Sequence, residues 1–334
     1  MNATQQISQS NADARSTEPL QRTVHIRPLV EADLPQADRI FRLAFGTFLG
    51  LPDPLAFAGD ADIVGTRWRA APSATLGAFR NGRLVGSNFA ARWGSFGFFG
   101  PLTIDPALWG QGIAQQLLVE TMALFDAWGV RQAGLFTFPQ SAMHLALYQK
   151  FGFWPGQLTP VMAKSVASAP GVGTLELYSE ADSIVRARHL EACRALTDQI
   201  FTGLDVTSEI DAVHRQNLGD TVLVRRDGEL TAFAICHAGT GSEAGSDTAF
   251  IKFGAVRPGD DAEADFIRLI HTCEAYAHAR SLRQLVAGVN AARRHAYTIL
   301  IEHKFKAILQ GVAMQKPDSP GFNRADCFVI DDWR

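Results

Sequence analysis

Three observations predict an α/β (α+β) protein built as one fold used twice. The length exceeds one ordinary domain, a small-residue seam lies near the middle, and the same order of strand and helix signals appears on either side of it. The chain has 334 residues, and at roughly 150 residues per domain that suggests two. Hydrophobic residues make up 47% and charged residues 19%, so each half can bury a core of its own. The seam at 165–173 reads Ser-Val-Ala-Ser-Ala-Pro-Gly-Val-Gly, an uncharged, breaker-containing run of the kind that links domains.

Taken in order, the first half opens with a short strand, Val24–Arg27, and a helix pattern from Asp33 to Phe45. The second opens with Thr174–Leu177 and a helix pattern from about Ser183 to Phe201. Next, Leu76–Phe79 and Leu84–Ala91 flank Asn81-Gly82, while Thr221–Val224 and Leu230–Cys236 flank Asp227-Gly228. Asn-Gly and Asp-Gly tolerate positive φ at both central positions and so favour tight hairpins. A longer strand then ends at Ile104-Asp105-Pro106 or Val256-Arg257-Pro258, and a long helix pattern follows each. Strand signals return at Ala133–Phe138 and Gln284–Val289. Ile26 and Leu177, Asn81 and Asp227, and Ile104 and Val256 all lie about 150 residues apart, the steady offset of an internal duplication. The expected organisation is a disordered leader at 1–21, a domain at 22–164, a linker at 165–173 and a second domain at 174–334.

Composition narrows the function. Lys and Arg number 31 against 34 Asp and Glu, a net charge of −3, which offers no dense basic face for nucleic acid. No apolar run approaches the ~20 residues that span a bilayer, and the polar leader lacks the apolar segment of a secretory signal. A cytoplasmic protein with no membrane partner is expected. Cys193, Cys236, Cys273 and Cys327 are widely spaced among apolar neighbours, so buried free thiols are expected rather than a metal or redox motif.

The informative segment runs from Leu102 to Leu118. A strand ends at Asp105-Pro106 and a helix begins near Gly112, with Leu117, Leu118, Leu124, Phe125 and Trp128 as its buried stripe and Gly129 as its stop. The turn between them holds Gly110, Gly112 and the small Ala114. Without side chains, backbone N–H groups can surround an anion, and the helix N-terminus adds partial positive charge. Residues Gly110 to Gln115 therefore read as a pyrophosphate cradle, with a tight packing turn as the alternative. The segment lacks the Lys-Ser/Thr of a P-loop and the spacing of GxGxxG. A second motif follows the strand at Leu135–Phe138. Ser141 to Phe153 forms a short helix that carries Tyr148 one turn before a Gly152-Phe153 exit.

These motifs resemble the GCN5-related N-acetyltransferase (GNAT) superfamily over residues 24–163. Trp109-Gly-Gln-Gly-Ile-Ala114 is similar to that family's Arg/Gln-x-x-Gly-x-Gly/Ala loop, and Ala146–Phe153 to its LYxKxGF helix and exit strand. Trp109 stands where Arg or Gln is usual, and Ser141 replaces an Asn that often contacts the cofactor. With the duplication, the resemblance implies two tandem GNAT-like domains. Each would be a mixed, mostly antiparallel twisted sheet with helices on both faces and a central parallel strand pair splayed around acetyl-CoA. It also implies cofactor contacts at Trp109, Gly110, Gln111, Gly112, Ile113, Ala114, Gln115 and Ser141, with pantetheine along Leu102, Thr103 and Ile104. A backbone N–H of that strand would polarise the thioester carbonyl, a primary amine of a small molecule would attack it directly, and Tyr148 would protonate the leaving thiolate. A phenol, with a pKa of ~10, is protonated at neutral pH and can do this.

No general base stands out: Asp105 reads as a turn cap, Glu120 as solvent-exposed, and His144 as a helix-face neighbour of Tyr148. The aromatic residues from Phe45 to Trp68 and at Trp93, Phe96, Phe98 and Phe99 read mainly as core, some lining an acceptor pocket. In the second half the cradle's counterpart, Arg257 to Asp265, keeps one glycine and gathers three aspartates and a glutamate, which repel a pyrophosphate. That half is expected to be degenerate, with Arg293, Arg294 and His295 on a solvated face, and the whole to be a monomeric pseudo-dimer or a homodimer. The alternative function is a non-catalytic acyl-CoA or metabolite-binding protein of the same fold.

Overall fold

Alternating apolar residues and two Asx-Gly turns lay down the start of each half in the computed structural model, which describes residues 23–166 and 175–334. The expected leader and most of the expected linker lie outside those residues. The first half runs β1 (Val24–Pro28), α1 (Leu34–Phe48), α2 (Val64–Ala70), β2 (Thr75–Arg80), β3 (Arg83–Trp93), β4 (Phe96–Phe99), β5 (Thr103–Ile104), α3 (Ile113–Trp128), β6 (Gln132–Thr137), α4 (Ala142–Gln149) and β7 (Trp154–Ser165). The second runs β8 (Glu176–Leu177), α5 (Ser183–Ile200), α6 (Thr207–Gln216), β9 (Gly219–Arg226), β10 (Glu229–Gly239), β11 (Gly245–Val256), α7 (Ala262–Ala279), β12 (Gln284–Gly288), α8 (Arg294–Glu302), β13 (Lys306–Lys316) and β14 (Val329–Ile330). Asn81 and Gly82, and Asp227 and Gly228, all take positive φ, as the hairpin reading requires. Helices α2 and α6 and strand β14 carry no clear periodic signal in the sequence.

The strands of both halves join in one 14-stranded sheet, ordered β1-β2-β3-β4-β6-β13-β7-β12-β11-β10-β9-β8. Among the described residues only β4 with β6 and β11 with β12 are parallel. The last strands are exchanged: β13 pairs with β6 of the first half, and β7 pairs with β12 of the second. Each strand thereby covers an edge that would otherwise expose its backbone groups.

Helices cover both faces. Leu118 and Phe125 of α3, Tyr148 of α4 and the exit residue Phe153 pack with Phe99 and Leu135. On the opposite face Ile40, Phe41 and Val64 pack on Phe79 and Phe89. The α5 and α6 residues Leu196, Ile200 and Ile210 share a cluster with Trp93, Phe96 and Phe98 from the first half, so the two halves hold a core in common. Turns lock them further. Ser95 N–H donates to Gly203 O at 2.7 Å, and Asp62 N–H to Ser242 O at 3.0 Å. Gly94 permits the first of these contacts, because a Cβ there would lie 2.1 Å from Gly203 O. All four cysteines are buried and free. Among the described residues no helix is long and apolar enough to cross a membrane.

Candidate active site

Strands β4 and β6 pair only from Phe96–Gln132 to Phe98–Gly134 and then part. The line of β4 breaks at Gly100-Pro101 and resumes as β5, held to β3 through Gly86–Ile104 and Ser87–Thr103, while β6 turns its other edge to β13. This opens a wedge bordered by residues 99–104. Leu102 is half-buried and Thr103 and Ile104 are buried. Tyr148, only 7% exposed, faces the wedge from α4. Its ring centre is 5.8 Å from that of Phe99. Burial pushes the phenol's pKa above its ordinary value, against a smaller opposing effect of Thr137 on β6, so Tyr148 stays protonated through the neutral range.

The predicted cradle lies where β5 feeds α3. The Asp105 carboxylate accepts the Ala107 N–H at 3.1 Å and caps the intervening turn, the role read from the sequence. Trp109 donates its indole N–H to Ile104 O at 2.9 Å, tying the loop to the strand that borders the wedge. Gly110 and Gly112 adopt φ of +76° and +75°, left-handed conformations that favour glycine. Gly112 caps α3 without a side chain, leaving the N–H groups of Ile113, Ala114 and Gln115 to line the helix start. Ile113 is 1% exposed, so its side chain serves the core while its N–H stays at the helix start. Gln115 is exposed and Ala114 half-buried. The Ser141 hydroxyl caps α4, accepting the His144 N–H at 3.4 Å.

Sequence reasoning missed Arg80. As the last residue of β2 it looks like part of the hairpin, yet its Nη1 donates to Gln111 Oε1 at 2.8 Å, bringing a cation to the loop. Its Nε is buried with no partner among the described residues. Helix α1 meets the end of β6 and the start of α4 through aromatic rings: the ring centre of Phe48 lies 4.9 Å from that of Phe138 and 5.0 Å from that of His144. Burial lowers the pKa of His144. Trp93, Phe96 and Phe98 belong to the shared core instead.

The second half keeps the frame and loses the opening. Strands β11 and β12 pair from Thr248–Gln284 to Ile251–Ala287, and where they part, β14 takes the vacant edge through Gly254–Ile330 and Ala255–Val329. Arg293, expected on a solvated face, is instead fully buried beneath this segment. It donates to Val329 O at 3.1 Å, Asn323 Oδ1 at 2.8 Å and Asp331 Oδ1 at 2.9 Å. These three acceptors satisfy part of the guanidinium, and among the described residues its Nε is left without a partner.

The comparisons agree with this geometry. Residues 39–153 match the model of the acetyltransferase (GNAT) family. No curated sequence matches the chain. Among solved structures, a candidate acetyltransferase from Pyrococcus horikoshii is similar at 13% identity over 97% of this chain and 98% of that one, with a TM-score of 0.66. A tandem GNAT protein from the clavulanic acid biosynthesis pathway is 14% identical over 88% of this chain and 98% of its own, with a TM-score of 0.54. A GCN5-related N-acetyltransferase from Sphaerobacter thermophilus is 13% identical over 88% of this chain and 95% of its own, at 0.53. At such identities the likeness is one of fold, and it extends across both halves.

Proposed function

We infer that this chain, whose residues 39–153 are a GNAT-family acetyltransferase domain, moves an acetyl group from acetyl-CoA to a primary amine of a small molecule. The reaction runs in the wedge of the first half. One observation carries the reading: a glycine cradle at a helix N-terminus, an unpaired strand edge and a protonated phenol all border the same opening.

In this reading Gly110 to Gln115 hold the pyrophosphate with backbone N–H groups, assisted by Arg80, and Ser141 closes the α4 side. Leu102, Thr103 and Ile104 align the pantetheine arm by backbone hydrogen bonds, and an N–H of this stretch stabilises the charge developing on the thioester oxygen. The amine attacks the carbonyl carbon directly. As the C–S bond breaks, Tyr148 gives its proton to the departing thiolate, and the amine's proton passes to water. The apolar ring of Phe48 and Phe138 favours an acceptor with apolar character. A single chain supplies all these groups, so the pseudo-dimer suffices for activity, and the cytoplasmic acetyl-CoA pool is its source of donor. The second half acts as a scaffold. A non-catalytic binder of acyl-CoA would keep the cradle but would have no use for a buried phenol between the strands.

The test is release of CoA thiol from acetyl-CoA with a panel of benzylamine, tyramine, spermidine and glycinamide. Tyr148→Phe should lower kcat by roughly 10²-fold, the usual worth of a positioned acid, with little change in acetyl-CoA affinity. Tight acetyl-CoA binding without thiol release from any amine would favour the binder.

A further inference from the structure

The two halves meet at a buried charge cluster that reaches the backbone of Gly100. Arg67, on α2 of the first half, aims its guanidinium at Glu243, in the turn between β10 and β11 of the second. Its Nε and Nη2 donate to the two carboxylate oxygens at 3.0 and 2.9 Å. Nη1 donates to the carbonyl of Gly100 at 2.5 Å, and Nη2 also reaches the carbonyl of Arg334. Lys252 donates to the same carboxylate and lies 3.6 Å from Glu209. The side chains of Arg67, Glu243 and Lys252 are 12%, 4% and 7% exposed. Burial opposes ionisation of Glu243, but the charges of Arg67 and Lys252 outweigh it and hold the carboxyl well below its ordinary range.

Gly100 is the point at which the β4 line breaks. Its amide donates to Phe89 O at 2.8 Å, which fixes one side of the residue, and Arg67 fixes the other. Two residues on begins the Leu102–Ile104 stretch. A guanidinium is a rigid planar fork, so one that meets a carboxylate with two donors has little freedom in where its third donor points. A residue of the second half thus determines where a carbonyl of the first half sits.

We propose that Glu243 is a positioning residue for the first half's active site: through Arg67 it sets the Gly100 carbonyl and the course of the Leu102–Ile104 backbone that meets the thioester. This rests on the function proposed above and gives the second half a defined part in it. Catalysis depends on such alignment steeply, with a misplacement of about 1 Å costing on the order of 10²-fold. Acetyl-CoA affinity depends on it less, because only the pantetheine contacts run along this stretch while the pyrophosphate cradle beyond Asp105 is left as it was.

The experiment compares the full-length chain with Glu243→Gln and Arg67→Lys. The Lys variant keeps the charge and loses the fork. Three quantities are measured: kcat with the amine panel, acetyl-CoA Kd by calorimetry, and amide hydrogen exchange of the 98–105 peptide. Expected are a fall in kcat of about 10- to 100-fold in both variants, a Kd within about threefold of wild type, and faster exchange at 98–105. Unchanged kcat in a folded Glu243→Gln chain would overturn the proposal. So would loss of kcat and affinity in parallel with lowered Tm, because that is the mark of a purely structural residue. A wild-type chain that binds acetyl-CoA and transfers nothing would fail one step earlier, bringing down the proposed function itself.

Discussion

Arg80 and Arg226 stand at the same place in the two halves, each the last residue of the strand before the hairpin, but they meet opposite partners. Arg80 reaches the neutral amide of Gln111 at 2.8 Å. Arg226 lies 3.0 Å from the carboxylate of Asp261 and 3.5 Å from that of Asp265. Among the described residues the first loop therefore keeps a cation with no carboxylate partner beside a helix N-terminus, while the second pairs its own with carboxylates. The two copies of the frame thus differ in the loop opposite a retained arginine, which is neutral in the first half and acidic in the second.

If Arg80 serves the phosphates, Arg80→Ala should weaken acetyl-CoA binding by about tenfold, roughly 1.4 kcal/mol. It should also flatten the dependence of Kd on salt, since a screened charge pair has been removed. Arg226→Ala should leave the affinity where it was. Calorimetry at two ionic strengths reads both, and equal affinities for wild type and Arg80→Ala would remove this residue from the cradle.

The strand that fills the second wedge leads to an expected stoichiometry of one. With β14 seated on β11 at Gly254 and Ala255, and aspartates around the α7 start, titration with acetyl-CoA should saturate at one equivalent per chain. Gly112→Asp, which puts a side chain and a charge into the first cradle, should abolish that single event. A residual equivalent in the variant would show that the second half binds as well.

His237 gives the fold a weakness in acid. It is 1% exposed and accepts the Glu243 N–H at 3.2 Å. Burial pulls its pKa from the ordinary 6.5 down to about 3, with the nearby Glu243 opposing and Lys252 and Arg67 adding to the fall. Between those values the unfolded chain binds a proton that the folded chain refuses. Stability is therefore unaffected above about pH 6.5 and declines as pH falls through the window, at up to ~1.4 kcal/mol per unit for one such site. In the folded chain Glu243 keeps its charge through the upper part of this window, because Arg67 and Lys252 hold its carboxyl well below the ordinary 4.5. Its own contribution to stability is lost only as pH falls below that ordinary value. His237→Gln should lower Tm at pH 7 but narrow the difference in Tm between pH 7 and pH 5. An unchanged difference would mean that His237 is not the group responsible.

The parts of the site that were legible are those made by residues near one another in the chain. Asn81-Gly82 and Asp227-Gly228 make their turns from their own backbone preferences. Gly110 and Gly112 take positive φ in the strand-to-helix turn that their spacing announces, and Ser141 caps the helix it begins. Tyr148 reaches the wedge because it sits one turn before a Gly-Phe exit. The illegible parts join distant residues. Arg67 and Glu243 are 176 positions apart, and nothing local distinguishes this arginine from Arg69, which lies on the same helix and is exposed. Arg293 reads as one of a polar trio until Val329 and Asp331 are folded over it.

By itself the sequence determined the duplicated frame, the hairpins, the glycine loop with its tyrosine, and the loss of that loop in the second half. Each is set by local φ, ψ preference, by periodicity, or by the charge of a few consecutive residues. Tertiary structure alone decided that β7 and β13 change places and that β14 closes the second wedge. A free strand edge takes any segment of suitable length and alternation, so the partner is chosen by where the chain can reach and what it can bury. The meeting of Glu243 with Arg67 is likewise decided by which turns the packed halves bring together.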